Sequence, residues 1–202
     1  MNGVILISGN GSNLQSIIDN AKSIDLKICC VISNKTDAYG LKRAAKADIP
    51  CVALDETLFD SKLGFDQEIM KVVDHYQPEV IILAGYMRIL SANFISKYFG
   101  KILNIHPSLL PKYPGINTHQ RAIDAFEKKH GASVHFVTEE LDGGPVIAQE
   151  FVNIDSTDNA QTLAKKVLDK EHTLYSKTIH WYTQGRLKLI NKNTATLDNK
   201  TL

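Results

Sequence analysis

The sequence lacks several features that would mark a specialised class of protein. Its 202 residues contain three cysteines and one tryptophan, and 23 basic and 22 acidic side chains leave a formal net charge of +1. An odd number of cysteines, two of them adjacent, is not typical of a disulfide framework, so we expect reduced thiols. The low net charge gives no electrostatic reason to expect nucleic acid as a partner.

Long hydrophobic runs and metal-ligand patterns are also missing. No apolar run reaches the roughly 20 residues that a membrane-spanning helix needs. Residues 1–8 lack the basic flank of a signal peptide and are typical of a buried first strand. The histidines show no metal-ligand spacing, so we predict no metal site. The short apolar runs predict no membrane partner, and the reduced cysteines predict a cytoplasmic protein. The length fits one domain over residues 1–190, followed by a polar tail at 191–202 that we expect to fray.

Short apolar runs alternate with helical patterns in the first half of the chain. The predicted strands are residues 4–7, 26–32, 51–54, 80–83 and 102–105, and the predicted helices are 12–21, 40–47, 65–76 and 92–99. This alternation predicts an α/β fold with an open, mostly parallel twisted sheet and helices on both faces. Residues 133–138 and 146–154 predict antiparallel strands in the C-terminal part. A helix is predicted for 159–175, with a possible extension to 181.

A glycine-rich loop follows the first predicted strand and opens the first predicted helix. It reads Ser8-Gly9-Asn10-Gly11-Ser12-Asn13. Glycines let a ligand approach the backbone, and a helix N-terminus presents free N–H groups and positive partial charge. These properties predict a phosphate site at Gly11, Ser12 and Asn13, although Leu14 replaces the third glycine of a dinucleotide fingerprint. A plain turn capped by Ser12 is the alternative.

A second motif lies at the end of the fifth predicted strand, where Asn104 and His106 precede a loop stiffened by prolines. Residues i and i+2 of a strand point to the same side, and ligands of open α/β sheets bind beyond the carboxyl ends of the strands. The pair therefore predicts an amide donor for an oxyanion beside an imidazole that carries protons. A structural histidine in the core is the alternative.

Two further loops offer charged groups. Asp142 precedes two glycines and a proline, and a carboxylate that faced His106 would raise the pKa of the imidazole. An Asx turn is the alternative for Asp142. Arg88 follows the fourth predicted strand and can pair with a ligand carboxylate, unless it is an ordinary surface residue.

Together, these segments resemble the folate-dependent phosphoribosylglycinamide formyltransferases of purine synthesis. The resemblance is carried by residues 7–14, 83–90, 104–115, 133–137 and 141–147, and it runs through nearly the whole chain. It implies the Rossmann-like formyltransferase fold. It also implies transfer of a formyl group from 10-formyltetrahydrofolate, as co-substrate, to the amine of 5-phosphoribosylglycinamide. The products would be formylglycinamide ribonucleotide and tetrahydrofolate, and no metal would be needed.

The resemblance assigns roles to individual residues. Asn104, His106 and Asp142 match the family's catalytic trio: Asn104 and protonated His106 would stabilise the oxyanion, and Asp142 would keep the imidazole charged. The residues implied in substrate binding are Gly11, Ser12 and Asn13 at the phosphate and Glu171 at the ribose hydroxyls. The residues implied in folate binding are Lys62, Met87, Arg88, Ile89, Leu90, Asn104, Val137 and Leu141. Lys62 stands where relatives often have arginine and lacks its bidentate fork.

Three other functions are compatible with parts of this pattern. A formyltetrahydrofolate hydrolase would use water in place of the amine, but such enzymes usually carry an extra N-terminal regulatory domain. A formyltransferase for initiator methionyl-tRNA would carry an additional C-terminal domain. A non-catalytic nucleotide-binding module would need only the glycine-rich loop, and would leave Asn104, His106 and Asp142 without a joint purpose. Family members occur as monomers or dimers, so we expect a monomer or homodimer with small-molecule partners.

Overall fold

The computed structural model describes residues 1–202 as ten strands and six α-helices. The strands are β1 (Asn2–Ile7), β2 (Lys27–Ser33), β3 (Cys51–Ala53), β4 (Val80–Leu83), β5 (Ile102–His106), β6 (Lys129–Phe136), β7 (Val146–Asn153), β8 (Leu187–Asn191), β9 (Thr194–Leu197) and β10 (Lys200–Thr201). The helices are α1 (Ser12–Asn20), α2 (Tyr39–Lys46), α3 (Lys62–Tyr76), α4 (Ala92–Lys97), α5 (Thr118–Asp124) and α6 (Ala160–Thr183). A short 3₁₀ helix covers Glu56–Leu58.

The strands form two sheets. The larger sheet has seven strands in the order β3-β2-β1-β4-β5-β6-β7, and a separate small sheet has the order β10-β9-β8. Strand β1 pairs in parallel with β2 and β4, and β2 pairs in parallel with β3, whereas β6 and β7 are antiparallel. The predicted α/β fold with a mostly parallel sheet and antiparallel C-terminal strands is therefore confirmed.

Packing divides the chain into two compact units, Met1–Leu103 and Asn104–Leu202. In the first unit, the four residues 4–7 of β1 and the β4 strand are buried along their whole length. Strands covered on both faces carry continuous apolar runs rather than alternating ones, which is why both segments could be recognised as buried strands. Helix α1 contributes Leu14 and Ile17, both almost fully buried, to the same core.

In the second unit, β6 and β7 differ in burial although they pair with each other. Every residue of β6 except the first is buried, whereas β7 alternates between more and less buried positions. This alternation is typical of an antiparallel strand with one solvated face. Helix α6 begins with a capping box, in which the Asn159 side chain accepts from backbone N–H groups and the Thr162 hydroxyl accepts from the Asn159 N–H.

Two features of the second unit differ from the sequence prediction. Helix α5 was not predicted, because its N-cap Asn117 has a left-handed conformation and makes no side-chain cap hydrogen bond. The prediction of a fraying tail at 191–202 was wrong, since residues 187–201 form the small sheet. Asp198 and Asn199 turn the chain between β9 and β10 in left-handed conformation, with φ of 53° and 62°. Asp and Asn are favoured in a tight hairpin turn. The polar composition of residues 191–202 alone did not predict this hairpin.

The structure contains no helix that is both long and apolar enough to span a membrane. It also contains no group of three or more His, Cys, Asp or Glu side chains arranged to hold a metal ion. All three cysteines are free. Burial raises the pKa of the Cys30 thiol to about 11, so this side chain is an inert part of the core.

Candidate active site

The glycine-rich loop of the first unit has the backbone that an anion site requires. Gly11 precedes α1 with φ of 75°, and a Cβ atom there would lie 2.8 Å from the Gly40 Cα. Glycine is therefore needed at position 11 for both its conformation and its size. No side chain caps α1, so the alternative in which Ser12 caps the helix is not what the structure has. Ser12 and Asn13 instead form the first turn, where N–H groups lack intrahelical partners.

Arg43 braces this loop, and the sequence prediction missed it. Its Nε donates to the Asn10 carbonyl and its Nη2 to the Asn10 Oδ1, both at 2.9 Å, while Nη1 donates to Gln15 at 3.2 Å. The guanidinium also lies 4.9 Å from the centre of the Tyr39 ring. Arg43 is 33 residues from Asn10, so only the packing of α2 against the loop reveals the contact.

The segment 86–90, implied in folate binding, follows β4 in the first unit. Met87 and Ile89 expose 72% and 64% of their surface, whereas Leu90 is buried. Exposed large apolar side chains that are adjacent in a loop are typical of a ligand-binding surface. The Met87 N–H donates to the Ser8 Oγ at 2.8 Å, and Ser8 donates to Asn34 at 2.6 Å. Ser8 therefore ties this segment to the start of the glycine-rich loop.

Arg88 is not the ordinary surface residue that was one interpretation of the sequence. Its guanidinium is largely buried, forms an ion pair with Glu56, lies 3.8 Å from Asp66 and stacks 4.3 Å above the Phe65 ring. Arg88 is therefore not a surface residue, and Glu56 and Asp66 compensate its charge inside the first unit. Burial beside these groups also raises the pKa of the Tyr86 hydroxyl.

Lys62 is the first residue of α3, after the N-cap Ser61, whose Oγ accepts from the Gly64 N–H at 3.0 Å. Its side chain is exposed and makes no ion pair or hydrogen bond. A cation at a helix N-terminus is unfavourable because the helix dipole is positive there. Lys62 therefore does not stabilise the fold at this position. Its exposed ammonium group is compatible with a ligand contact.

The predicted trio comes together in the second unit. Asn104 and His106 lie on β5, and the His106 imidazole is 5% exposed. Its Nδ1 lies 3.3 Å from the Asp142 Oδ2, and its Nε2 lies 2.9 Å from the Tyr113 carbonyl oxygen. Asp142 sits in a turn with φ of 51° and accepts a hydrogen bond of 2.8 Å from the Gly115 N–H. Asn104 Nδ2 lies 3.0 Å from the Nε2 of His135.

Two opposing influences set the protonation of His106. Burial lowers the pKa of the imidazole below its ordinary value and outweighs the Tyr113 carbonyl and the Asp142 carboxylate, which both raise it. Asp142 thus acts in the predicted direction, although desolvation is the larger effect. Burial also acts to raise the pKa of Asp142, but His135, the Gly115 N–H and the nearby His106 together hold it below the usual range.

The loop that follows β5 fixes the Tyr113 carbonyl. Tyr113 has a left-handed backbone with φ of 57°, and its hydroxyl donates to Glu127 at 2.9 Å. Arg121 lies 5.3 Å from the Tyr113 ring centre and donates to the Pro114 carbonyl at 2.6 Å. The neighbouring His119 and His130 are 3.1 Å apart through their ring nitrogens, and burial lowers the pKa of both.

The remaining implied residues lie on other elements of the second unit. Glu171 lies on α6 with 8% exposure. Val137 is half-buried directly after β6, and Leu141 is 52% exposed beside Asp142. Val137 and Leu141 thus border the turn that carries the carboxylate facing His106.

Known proteins are similar to this chain over nearly its whole length. A family model described as formyl transferase matches residues 1–179. The chain is 50% identical to the phosphoribosylglycinamide formyltransferase of Escherichia coli over 204 residues, which cover 100% of this chain and 96% of that protein. It is 48% identical to the Haemophilus influenzae enzyme of the same name, covering 98% and 94%. The solved structure of the Coxiella burnetii phosphoribosylglycinamide formyltransferase superimposes with a TM-score of 0.95 at 47% identity, covering 100% of this chain and 95% of that one. The chain therefore belongs to the formyl transferase family, among the phosphoribosylglycinamide formyltransferases.

Proposed function

We propose that this protein transfers the formyl group of 10-formyltetrahydrofolate to the amine of 5-phosphoribosylglycinamide in purine biosynthesis. The observation that carries the proposal is the pairing of His106 with Asp142 at 3.3 Å, with Asn104 two residues earlier on the same strand. An amide donor, a titratable imidazole and a carboxylate in one place are the groups that acyl transfer to an amine requires.

Two sets of residues support substrate binding. The first turn of α1, with Gly11, Ser12 and Asn13, offers N–H groups and a positive dipole end to the phosphate, and we assign Glu171 to the ribose hydroxyls. For the folate we assign the backbone of Met87, Arg88, Ile89 and Leu90, together with Lys62, Asn104, Val137 and Leu141. The exposed apolar side chains of segment 86–90 suit a flat aromatic ring system.

The reaction follows from the positions of the donors. The amine nitrogen bonds to the formyl carbon, the carbonyl oxygen gains negative charge, and the bond from that carbon to the folate nitrogen then breaks. Asn104 donates an N–H to the charged oxygen, a contact that typically contributes about 10²–10³-fold in rate. The proton lost by the amine passes to the departing folate nitrogen, and His106 with Asp142 carries it.

The hydrogen bonds of His106 explain how it can carry a proton. The Tyr113 carbonyl only accepts, so the hydrogen bond to it requires a proton on Nε2. In the neutral ring, Nδ1 then presents a lone pair to the Asp142 carboxylate, whereas in the protonated ring both nitrogens donate. The contacts favour protonation and burial opposes it. This balance suits a group that gains and releases a proton within one catalytic cycle.

The experiment that tests the proposal follows folate product formation from 10-formyl-5,8-dideazafolate, a stable analogue, with and without the ribonucleotide. Turnover that requires the ribonucleotide supports the transferase, and turnover with water alone would instead identify a hydrolase. A His106→Ala protein should lose about 10²–10⁴-fold in kcat. Full activity in this variant would contradict the assignment of His106, and His75→Ala, at an exposed histidine, is the control.

We further propose that the partners are small molecules rather than nucleic acid, and that the protein acts as a monomer or homodimer. The net charge of +1 provides no general attraction to a phosphate backbone. We also propose a cytoplasmic location, because three unpaired cysteines are typical of a reducing compartment.

A further inference from the structure

His135 is a buried histidine that the mechanism has not yet used. It lies on β6 with 2% exposure, and both of its ring nitrogens have partners. Nδ1 lies 2.9 Å from the carbonyl oxygen of Phe136, and Nε2 lies 3.0 Å from the side-chain amide of Asn104. His135 therefore contacts directly the residue to which we assign the oxyanion contact.

The Phe136 carbonyl determines which ring nitrogen carries the proton. A carbonyl oxygen only accepts, so the 2.9 Å contact is a hydrogen bond only when His135 Nδ1 is protonated. In a neutral ring, Nε2 then carries a lone pair and can only accept. The side chain that approaches it must offer an N–H, and for Asn104 this is the Nδ2 end of the amide.

The same argument determines the orientation of the Asn104 amide. If the amide were rotated by half a turn, its Oδ1 would face the Nε2 lone pair, and two acceptors would meet in a buried site. The Asp142 Oδ1 lies 3.7 Å from this nitrogen, which is too long for a hydrogen bond. The amide, at 3.0 Å, is therefore the nearer of the two groups that face Nε2. One Asn104 N–H is used on His135, and the second stays available to a ligand oxygen.

We infer that His135 is a positioning residue, which acts as a neutral hydrogen-bond acceptor and holds the Asn104 amide with its NH₂ end as the donor. The catalytic consequence of this arrangement rests on the proposed function. The tautomer and charge of the His135 ring do not depend on that function. Phe136 sets the tautomer of His135, His135 sets the orientation of Asn104, and Asn104 donates to the oxyanion. This chain of contacts runs between β6 and β5.

The first test observes the His135 ring directly in the ligand-free protein. In protein labelled with ¹⁵N-histidine, long-range ¹H–¹⁵N correlations distinguish the two neutral tautomers and the cation, and a His135→Gln spectrum assigns the signals. We expect a proton on Nδ1 and none on Nε2 at neutral pH. A proton on Nε2, in either the other tautomer or the cation, would overturn the inference. This result does not depend on whether the protein transfers formyl groups.

The second test compares His135→Gln with His135→Met in the transfer assay. Gln places an acceptor oxygen near the former Nε2, whereas Met has similar length and no acceptor. We expect His135→Met to lose at least tenfold in kcat, with both KM values within about threefold, and His135→Gln to retain most of the activity. Equal losses in the two variants would show that the ring acts only through its shape.

A double-mutant cycle with Asn104→Ala separates positioning from general stability. If His135 acts through Asn104, His135→Met should cause no further loss of kcat once Asn104 is alanine. The same loss in both backgrounds would overturn the inference. If His135→Met fails to fold, the spectrum of the His135 ring and the activity of His135→Gln still test whether His135 is a neutral acceptor. A protein with the expected tautomer but no transferase activity would refute the proposed function and leave the hydrogen-bond assignment standing.

Discussion

At the scale of single residues, His106 shows how burial and a neighbouring charge compete. Asp142 raises the pKa of the imidazole, as its negative charge requires, but desolvation lowers that pKa by more. The Nε2 hydrogen bond to Tyr113 leaves Nδ1 as the position that changes its proton. The Asp142 carboxylate is therefore a group that raises this pKa and that a substitution can remove while keeping the size of the side chain.

Asp142→Asn keeps the size of the side chain and removes its charge. Because the carboxylate raises the pKa of His106, we expect that pKa to fall further below its ordinary value, and kcat to fall by about 10²–10⁴-fold. Titration of the histidine signals by NMR measures the first effect, and the acid limb of the kcat/KM profile should move to lower pH. Asp124→Asn, at an exposed carboxylate on α5, is the control. An unchanged His106 titration would show that Asp142 does not act on the ring.

At the scale of elements, the glycine-rich loop depends on a neighbouring helix. Gly40, on α2, comes so close to the loop that a Cβ atom on Gly11 would lie only 2.8 Å from the Gly40 Cα. Arg43, one turn further along α2, holds Asn10 with two hydrogen bonds. Helix α2 therefore stabilises the conformation of a loop that lies outside the helix, before α1.

Arg43→Gln should weaken phosphate binding by loosening this loop. Hydrogen bonds to charged groups contribute about 1.5–3 kcal/mol each, so we expect KM for the ribonucleotide to rise about tenfold or more, with little change in KM for the folate. Initial-rate kinetics with each substrate varied in turn measures both values. Lys42→Gln, which removes an exposed charge from the same helix, controls for electrostatics. Equal effects of the two substitutions would mean that charge, not bracing, is responsible.

The C-terminal hairpin is a second element whose stability depends on its turn. Asp198 and Asn199 both have left-handed backbone conformation, and Arg186 binds Asp198 through two hydrogen bonds of 2.8 and 2.7 Å. We expect Asn199→Val to lower the free energy of unfolding by about 1–2 kcal/mol, because a β-branched residue resists this conformation. Asn199→Gly should cost a few tenths at most. Urea denaturation of both variants tests this, and identical stabilities would indicate a frayed tail.

At the scale of the whole molecule, two buried histidines and one half-buried histidine make stability depend on pH. Burial lowers the pKa of His106, His119 and His130, the last to about 4. Between pH 6.5 and 4, the unfolded chain binds a proton at position 130 and the folded protein does not. Acidification through this window therefore favours the unfolded state.

His130→Gln removes the histidine that takes up a proton in the unfolded chain but not in the folded protein over this pH range. We expect the free energy of unfolding to fall less steeply with decreasing pH between 6.5 and 5 than in the unchanged protein. Urea denaturation at several pH values measures the slope, and the exposed His75→Gln is the matched control. An unchanged slope in His130→Gln would show that the folded protein takes up this proton as readily as the unfolded chain does.

The sequence by itself determined the features that depend on local chemistry. Continuous apolar runs predicted the strands of the parallel sheet. The helix predicted over 92–99 corresponds to α4, whose N-cap Ser91 accepts from the Phe94 N–H at 3.3 Å. The spacing of Asn104 and His106 predicted two side chains on one side of a strand. Each of these follows from residues within a few positions of one another, so pattern and propensity suffice.

Only the tertiary structure decided the properties that join distant residues. Asp142 is 36 residues from His106 and His135 is 31 residues from Asn104, so no local pattern could predict either contact. Packing also decided that burial outweighs Asp142 at His106, and that Arg88 pairs with Glu56 rather than remaining at the surface. Desolvation and charge compensation depend on everything that surrounds a group, and the fold alone assembles those surroundings.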